Sequence, residues 1–216
     1  METQDQPVRG RSGFIQRIFA WMYSRNDDDK LDRLVGAYKR RLLTGLTGTV
    51  LEIGPGTGAN FPYFRRDIRW IGAEPNLFMH PHLQKAAQRA GITEVDIRPL
   101  TGEKLNLADN SLDAVVATHV LCSVDHQERV LQEIRRVLKP AGRFIFLEHV
   151  AAPPGTPLRQ FQGFIRPVWA YCGDGCHLNR ETWTAIENAG FTQVEIEHFR
   201  IPAPFVSPHI AGYAVK

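Results

Sequence analysis

Three glycines at alternate positions follow a short apolar segment near residue 50, in the sequence Val50-Leu51-Glu52-Ile53-Gly54-Pro55-Gly56-Thr57-Gly58. Glycine lets the backbone turn sharply and lets a ligand approach the main chain, because no Cβ stands in the way. The amides of this loop, and the N-terminus of a helix expected after Ala59, can face an electron-rich group. The spacing G-x-G-x-G differs from the dinucleotide fingerprint G-x-G-x-x-G. It indicates a nucleotide or cofactor site, with a tight turn that binds no ligand as the alternative.

An acidic side chain follows the next predicted strand, where Trp70-Ile71-Gly72-Ala73 leads into Glu74-Pro75-Asn76. Twenty residues separate Gly54 from Glu74. At that distance in a Rossmann-like unit, a carboxylate accepts hydrogen bonds from both ribose hydroxyls. A solvated loop carboxylate is the alternative, and the spacing favours the ribose role.

Two more predicted strands end in residues that fit the same ligand. Gly102-Glu103 follows the third strand, where an adenine ring would lie, and Thr118-His119 ends the fourth. In an open parallel sheet, ligands bind beyond the carboxyl ends of the strands. Four strand ends therefore converge on one edge of the sheet, which indicates a site for an adenosyl cofactor.

Short buried strands alternate with helices from Thr49 onward, which is typical of a parallel α/β sheet with helices on both faces. Two strands follow the last helix with no helix between them, so the sheet should end in an antiparallel hairpin. The predicted strands are Thr49–Ile53, Trp70–Ala73, Glu94–Arg98, Asp113–Thr118, Arg143–Val150, Thr192–His198 and His209–Val215. The predicted helices in this part are Leu77–Ala90, Gln127–Leu138 and Glu181–Asn188. The segment Lys139-Pro140-Ala141-Gly142 should end the second of them, because proline cannot continue a helix.

Composition limits the classes of protein that fit. The chain has 216 residues, 43% of them hydrophobic and 23% charged, which suits a globular protein with a sizeable core. Its net charge of +3 comes without a dense basic stripe, so we expect no nucleic-acid partner. Three cysteines are too few for a disulfide framework and indicate a reducing compartment. Without an apolar run long enough to cross a bilayer and without a visible signal peptide, the expected location is cytoplasmic.

Residues 1–48 form a separate helical segment in front of the domain at 49–216. Apolar residues between Gly13 and Arg25 have helical spacing, and a second helix is expected over about Lys30–Leu43. The first helix could act as a lid over the cofactor cleft. It could also lie in a membrane interface, with the arginines of residues 9–25 toward lipid phosphates. We favour the lid, and both roles are compatible.

Together these segments resemble the class I S-adenosylmethionine-dependent methyltransferases. The resemblance rests on the glycine loop, on Glu74, on Asp109-Asn110-Ser111-Leu112-Asp113 and on Leu138-Lys139-Pro140-Ala141-Gly142. It implies a Rossmann-like seven-stranded sheet whose last strand is reversed. It also implies that Glu52 and the glycines hold the methionine part of the cofactor, Glu74 the ribose and Gly102-Glu103 the adenine. The remaining residues that we expect to contact the cofactor are Asn60, Pro75, Asn76, Thr118 and His119.

A narrower resemblance is to the methyltransferase-like 7 proteins, which are thiol S-methyltransferases of the endoplasmic reticulum and lipid-droplet surface. It rests on the segments Gly58-Ala59-Asn60-Phe61, Val120-Leu121-Cys122-Ser123-Val124, Glu148-His149-Val150, Gly173-Asp174-Gly175-Cys176, Arg180-Glu181-Thr182-Trp183 and Pro208 to Lys216. The resemblance implies a small alkyl thiol as the methyl acceptor and S-adenosylhomocysteine as the product. This chain departs from those proteins in two respects: its N-terminal part is amphipathic rather than a long hydrophobic anchor, and Glu74 stands where aspartate is usual.

The candidates for chemistry on the acceptor are His119, His149 and Asp174. Methyl transfer needs the nucleophile in line with the methyl carbon, and a thiol of pKa ~8.5 needs only modest help to ionise. Cys172, Cys176 and His177 lack the second ligand pair of a structural zinc site, so we predict no metal. The aromatic residues between Phe161 and Tyr171 are expected to be core residues, and some could line an apolar acceptor pocket.

The sequence thus predicts a methyltransferase that acts on a small apolar acceptor, most consistent with a thiol. One alternative is a C- or O-methyltransferase of a quinone or another lipophilic metabolite, which would share the cofactor half. Another is a cofactor-binding or membrane-interaction module without turnover.

Overall fold

A seven-stranded sheet forms the centre of the computed structural model, which describes residues 29–173 and 175–216 together with Arg17 and Ala20. Its strands are β1 (Thr49–Ile53), β2 (Arg69–Ala73), β3 (Val95–Arg98), β4 (Leu112–Thr118), β5 (Leu138–His149), β6 (Gln193–Arg200) and β7 (Pro208–Val215). The strand order is β3-β2-β1-β4-β5-β7-β6. The first five strands pair in parallel, and β7 is antiparallel to both β5 and β6. The predicted sheet with its reversed last strand is confirmed.

Five α-helices surround this sheet in the described part of the chain. They are α1 (Asp29–Leu43), α2 (His80–Ala90), α3 (Gln127–Val137), α4 (Pro157–Cys172) and α5 (Thr182–Glu187). Alternate residues of β4 contact opposite layers, as the two-residue period of a strand requires. Val115 and Ala117 belong to the core that includes α3 and α5, whereas Ala114 and Val116 belong to the core that includes α2. Helices on both faces are confirmed.

One local prediction was wrong, and two were right in kind but differ in detail. The expected helix after Ala59 is a single 3-10 turn, Phe61–Tyr63, with Pro62 inside it, so no helix N-terminus faces the glycine loop. The predicted helix from Leu77 begins with a 3-10 turn and becomes α-helical only at His80, next to a proline. The predicted end of the helix before residues 139–142 is confirmed, since α3 ends at Val137. These residues already belong to β5, whose irregular first part accommodates a left-handed Ala141 (φ 63°) and a register shift against β4.

The helix α1 packs on the side of the sheet formed by β5, β7 and β6. Val35 is fully buried in a cluster with Leu147 and Ala211, and Tyr38 stacks on Phe199 at 3.9 Å between ring centroids. The helix predicted between residues 13 and 25 lies outside the described residues apart from Arg17 and Ala20, so the division at residue 48 and the lid remain predictions. None of the helices in the described part of the chain is both long and apolar enough to span a bilayer.

Candidate active site

The glycine loop after β1 is tightly packed at both ends and open in the middle. Gly54 has φ +59°, and a Cβ built there would lie 2.5 Å from Cγ2 of Val120. A Cβ on Gly58 would lie 2.6 Å from the Phe61 ring. Gly56 also has a positive φ, +58°, but no atom lies within 4 Å of its ideal Cβ position. The loop therefore leaves bare backbone beside open space at Gly56, as a bound ligand would need.

Glu74 connects the end of β2 to this loop. Its side chain is buried, and its two carboxylate oxygens accept hydrogen bonds from the amides of Gly56 (3.0 Å) and Asn76 (2.9 Å). Asn76 in turn caps the 3-10 turn at Leu77 by accepting from the Phe78 amide at 3.1 Å. The sequence-predicted neighbours Gly56, Glu74 and Asn76 are therefore held together, with the carboxylate directly beside the open part of the loop.

Glu52 is wholly buried beneath the loop. Its oxygens accept hydrogen bonds from Nδ2 of Asn60 at 2.8 Å and from Nε1 of Trp70 at 3.0 Å. The Asn60 amide also donates to Oγ1 of Thr118 at 2.8 Å, which joins the end of β4 to the loop. Burial raises the pKa of Glu52 to about 7, although both side-chain hydrogen bonds oppose the shift. Glu52 thus holds Asn60 in place, and the buried Oδ1 of Asn60 has no hydrogen-bond partner within the described residues. The predicted contact of Glu52 with the methionine part of the cofactor stays a prediction.

The third strand end lies against the first. A Cβ on Gly102 would approach both Ile53 and Val130 to 3.1 Å, so the backbone at Gly102 packs tightly on β1 and α3. The carboxylate of Glu103 accepts from the amide of Asp125 at 3.0 Å and holds the loop before α3. The predicted contact of Gly102 and Glu103 with adenine stays a prediction.

Beyond β4, β5 and β7 lies a group of three histidines and two cysteines, which we call the His-Cys cluster: His119, Cys122, His149, Cys176 and His209. Nε2 of His119 and Nε2 of His209 are 3.2 Å apart, and Nε2 of His149 lies 3.1 Å from Sγ of Cys176. His149 and His209 are paired residues of the neighbouring strands β5 and β7. The structure thus brings the predicted residues His119 and His149 together. Asp174 lies outside the described residues.

The environment keeps two of these histidines neutral at pH 7. Desolvation lowers the pKa of His119 well below its usual value, and His209, His149 and Lys39 lower it further. Desolvation also lowers the pKa of His209 to about 4. The pKa of the Cys176 thiol is raised, first by its contact with Cys122 and then by burial. Without a ligand, His119 and His209 are therefore neutral and the Cys176 thiol keeps its proton.

Glu148 is a site residue that the sequence analysis missed. It is completely buried, and its Oε1 accepts from the amides of Val120 (3.0 Å) and Leu121 (3.1 Å). It therefore fixes the loop that carries both Val120, which packs against Gly54, and Cys122 of the His-Cys cluster. Burial raises the pKa of Glu148 to about 7. The signal was a glutamate within an otherwise apolar strand, between Leu147 and His149.

His209 and Cys122 were also missed as site residues, since each needs the strand order to bring it to the site. His209 also lines a pocket of about 370 Å³, whose other walls include Val150, Ala151, Pro153, Pro154 and Phe199. Its lining is mostly apolar but also includes His198 and Arg200, and a mostly apolar pocket with a few polar groups suits a small ligand.

The aromatic stretch between Phe161 and Tyr171 lies on α4, a segment that the sequence analysis did not predict to be helical. Gln162 is buried and ties α4 to the end of β5, accepting from the Ala152 amide at 2.8 Å. Phe161 stacks on Phe205 at 5.0 Å between ring centroids, and Trp169 donates to Cys176. Phe164 and Tyr171 are instead 83% and 76% exposed, so the expectation that they belong to the core was wrong.

Comparisons with known proteins agree with this geometry. The family described as Methyltransferase domain matches residues 51–146. Thiol S-methyltransferase TMT1B from Homo sapiens is 42% identical to this chain over 201 residues, which are 87% of the chain and 82% of that protein. Thiol S-methyltransferase TMT1A from Homo sapiens is also 42% identical, over 78% of the chain and 70% of that protein.

Solved structures agree on the fold. A SAM-dependent methyltransferase from Thermotoga maritima matches with a TM-score of 0.65 at 20% identity, over 95% of this chain and 100% of that one. Another, from Mesorhizobium loti, matches with a TM-score of 0.61 at 19% identity, over 85% and 98%. The identity to the human relatives is much higher, and it confirms the narrower resemblance: the chain belongs to the family of the thiol S-methyltransferases TMT1A and TMT1B.

Proposed function

We propose that this protein transfers the methyl group of S-adenosylmethionine to the sulfur of a small thiol. The observation that carries the proposal is the direct contact between two parts of the site. Val120 packs against Gly54 of the glycine loop, and two residues later the same loop carries Cys122 of the His-Cys cluster. The glycine loop and the His-Cys cluster therefore share one edge of the sheet. Membership of the thiol S-methyltransferase family supports the same function.

The residues present fit the cofactor. Open space beside Gly56 leaves room for a ligand against bare backbone, and the unpartnered Oδ1 of Asn60 can accept from an ammonium group. In this proposal Gly54, Gly56, Gly58 and Asn60 hold the methionine part. Glu74 with its neighbours Pro75 and Asn76 holds the ribose, and Gly102 and Glu103 hold the adenine. Glu52 acts indirectly, through Asn60 and Thr118. When bound, S-adenosylmethionine supplies an electrophilic methyl carbon on a sulfonium.

The acceptor side needs a positioned thiol and a route for its proton. His119 lies at the end of β4, and its left-handed backbone (φ 54°) turns the chain back beside the cofactor edge. Nδ1 of His209 donates to the Ser207 carbonyl, so Nε2 of His209 accepts from Nε2 of His119. This leaves Nδ1 of the neutral His119 imidazole as the nitrogen that can accept a thiol proton. The pocket beside His209 would admit an alkyl chain along Val150, Pro153 and Phe199. His119, His149 and Asp174 remain the candidates for acceptor chemistry.

The proposal is tested by incubating the protein with S-adenosylmethionine labelled in its methyl group and with a matched set of acceptors: an alkanethiol, the corresponding alcohol, a phenol and a quinol. We expect label in the thioether and none in the alcohol. Label on carbon or oxygen of the quinol would instead support the quinone alternative. Cofactor binding without transfer to any acceptor would support a module without turnover.

We also propose peripheral contact with a membrane surface. The helix α4 exposes three large side chains at helical spacing, Phe164, Val168 and Tyr171, and all are at least 70% exposed. An exposed apolar face of this kind inserts into the headgroup boundary of a bilayer without spanning it. The amphipathic segment predicted within residues 9–25 would add a second attachment.

A further inference from the structure

Three side chains of the His-Cys cluster form a set of soft metal ligands. Sγ of Cys122, a ring nitrogen of His149 and Sγ of Cys176 all lie within 4.8 Å of one another, and Nε2 of His149 is 3.1 Å from Sγ of Cys176. We propose that these three atoms bind a Zn²⁺ ion, and that the fourth coordination position of the ion takes the acceptor as a thiolate. The metal-binding part stands on these three residues alone, whereas the acceptor part rests on the proposed function.

The fold places the three ligands from separate elements. Cys122 follows β4, His149 ends β5, and Cys176 follows α4. The amide of His177 donates to the carbonyl of Cys122 at 2.9 Å, which fixes the two cysteine-bearing segments side by side. The local spacing of Cys172, Cys176 and His177 had argued against a metal, because it offers no second ligand pair. The sheet supplies Cys122 and His149 instead.

Burial and hydrogen bonding make these atoms suited to a metal. Cys122 is 2% exposed and His149 is 6% exposed, so both side chains lie away from bulk water. Nε1 of Trp169 donates to Sγ of Cys176 at 3.2 Å, and an N–H donor to a ligand sulfur is a usual outer contact of a metal site.

Zinc is the ion that this set of ligands favours. Thiolate and imidazole ligands select zinc over magnesium or calcium, and Zn–S and Zn–N bonds are about 2.3 and 2.0 Å. Tetrahedral bonds of that length place two sulfurs about 3.8 Å apart, which fits ligand atoms that already lie within 4.8 Å. Two thiolates neutralise the dication. Within the part of the chain that the structure describes, no further histidine, cysteine or carboxylate joins these three ligands. Three protein ligands with an open fourth position are the pattern of catalytic zinc sites.

A metal at this position would supply the help that the acceptor thiol needs to lose its proton. A thiol that coordinates Zn²⁺ loses its proton, and we assign that proton to solvent. The thiolate sulfur then forms a bond to the methyl carbon while the bond from that carbon to the sulfonium sulfur breaks. The bonding electron pair returns to the cofactor sulfur. The products are a neutral methyl thioether, S-adenosylhomocysteine and one released proton, with no change of oxidation state at the metal. The thioether is a weaker ligand than the thiolate and leaves.

Metal content tests the site without reference to activity. The full chain is saturated with Zn²⁺, dialysed, and analysed for zinc by mass spectrometry. We expect about one zinc per chain, and near none in Cys122→Ser or Cys176→Ser. The matched control Cys172→Ser changes the third cysteine of the chain and should retain the zinc. Trp169→Phe should weaken zinc affinity about 10- to 100-fold, as loss of an outer hydrogen bond does elsewhere.

Cobalt substitution makes the same test in unmodified protein and is independent of how variants fold. Co²⁺ bound by two thiolates should give an intense near-ultraviolet charge-transfer absorption, and an alkanethiol added without S-adenosylmethionine should intensify it. Wild-type protein that binds no zinc, or that yields Cys122 and Cys176 as a disulfide under reducing conditions, would overturn the site. Thiol methylation that persists after complete chelation would refute the role of the metal and leave the proposed function standing. Zinc binding without thiol methylation would refute the proposed function and leave the metal site standing.

Discussion

The matched variants Gly54→Ala and Gly56→Ala separate the stability of the glycine loop from its proposed role in binding. Both residues have φ near +58°, so each variant carries the left-handed strain of a non-glycine residue, about 1–2 kcal/mol. At Gly54 the new methyl group would also meet Val120 at 2.5 Å, and overpacking of that kind adds about 1–3 kcal/mol. We therefore expect Gly54→Ala to lower the free energy of unfolding by about 2–5 kcal/mol, and Gly56→Ala by only about 1–2 kcal/mol.

For ligand affinity we expect the opposite order. Relative to its small cost in stability, Gly56→Ala should weaken ligand binding more than Gly54→Ala does. The methyl group of Gly56→Ala projects into the open space that we assign to S-adenosylmethionine, so affinity should fall at least about tenfold, or ~1.4 kcal/mol. Urea unfolding of the free protein measures the first quantity, and calorimetric titration with S-adenosylhomocysteine measures the second. If Gly56→Ala binds this ligand as tightly as the wild type, the space beside residue 56 is not the cofactor site.

Three further predictions follow from the site and from α4. The Glu52 carboxyl keeps its proton until about pH 7 in the folded state and loses it near pH 4.5 in the unfolded state. The free energy of unfolding therefore falls as pH rises between these values. In urea unfolding, Glu52→Gln should flatten this slope by up to about 1.4 kcal/mol per pH unit. Trp70→Phe removes the donor to Oε2 of Glu52 and should lower the free energy of unfolding by about 1–3 kcal/mol, measured in the same way. Replacing Phe164, Val168 and Tyr171 together by serine should reduce co-flotation with anionic lipid vesicles while leaving circular dichroism unchanged.

Each of these predictions has a contrary outcome. An unchanged pH slope in Glu52→Gln would mean that the Glu52 carboxyl titrates at the same pH in the folded and unfolded states. A stability of Trp70→Phe equal to that of the wild type would mean that the indole hydrogen bond makes no net contribution. Wild-type protein that stays at the bottom of the flotation gradient would refute membrane contact.

The strand pattern could be read from the sequence because each strand is short, apolar and bounded by turn residues. Thr49–Ile53 was predicted with the bounds that the structure shows, and the final pair was predicted because no helix separates it. The glycine loop and Glu74 were found because their spacing is local. The 3-10 turn at Phe61–Tyr63 was missed because the prediction continued helical structure through Pro62.

The chemistry beyond the cofactor loop could be predicted only in part. His149 and His209 become neighbours because β7 inserts between β5 and β6, a pairing that no local pattern encodes. Cys122 and Cys176 are far apart in sequence and meet only because α4 returns its following loop to the end of β4. The hydrogen bonds of Glu52 could not be predicted for a related reason, since Asn60 and Trp70 reach its oxygens only in the folded chain.

A crystal structure of the protein with S-adenosylhomocysteine and an alkanethiol tests the central claim most directly. We expect the nucleoside beside Glu74, the amino-acid part over Gly56 and the thiol sulfur at the His-Cys cluster. A cofactor bound at another edge of the sheet, or a thiol bound away from the His-Cys cluster, would contradict the proposed assignment of the site.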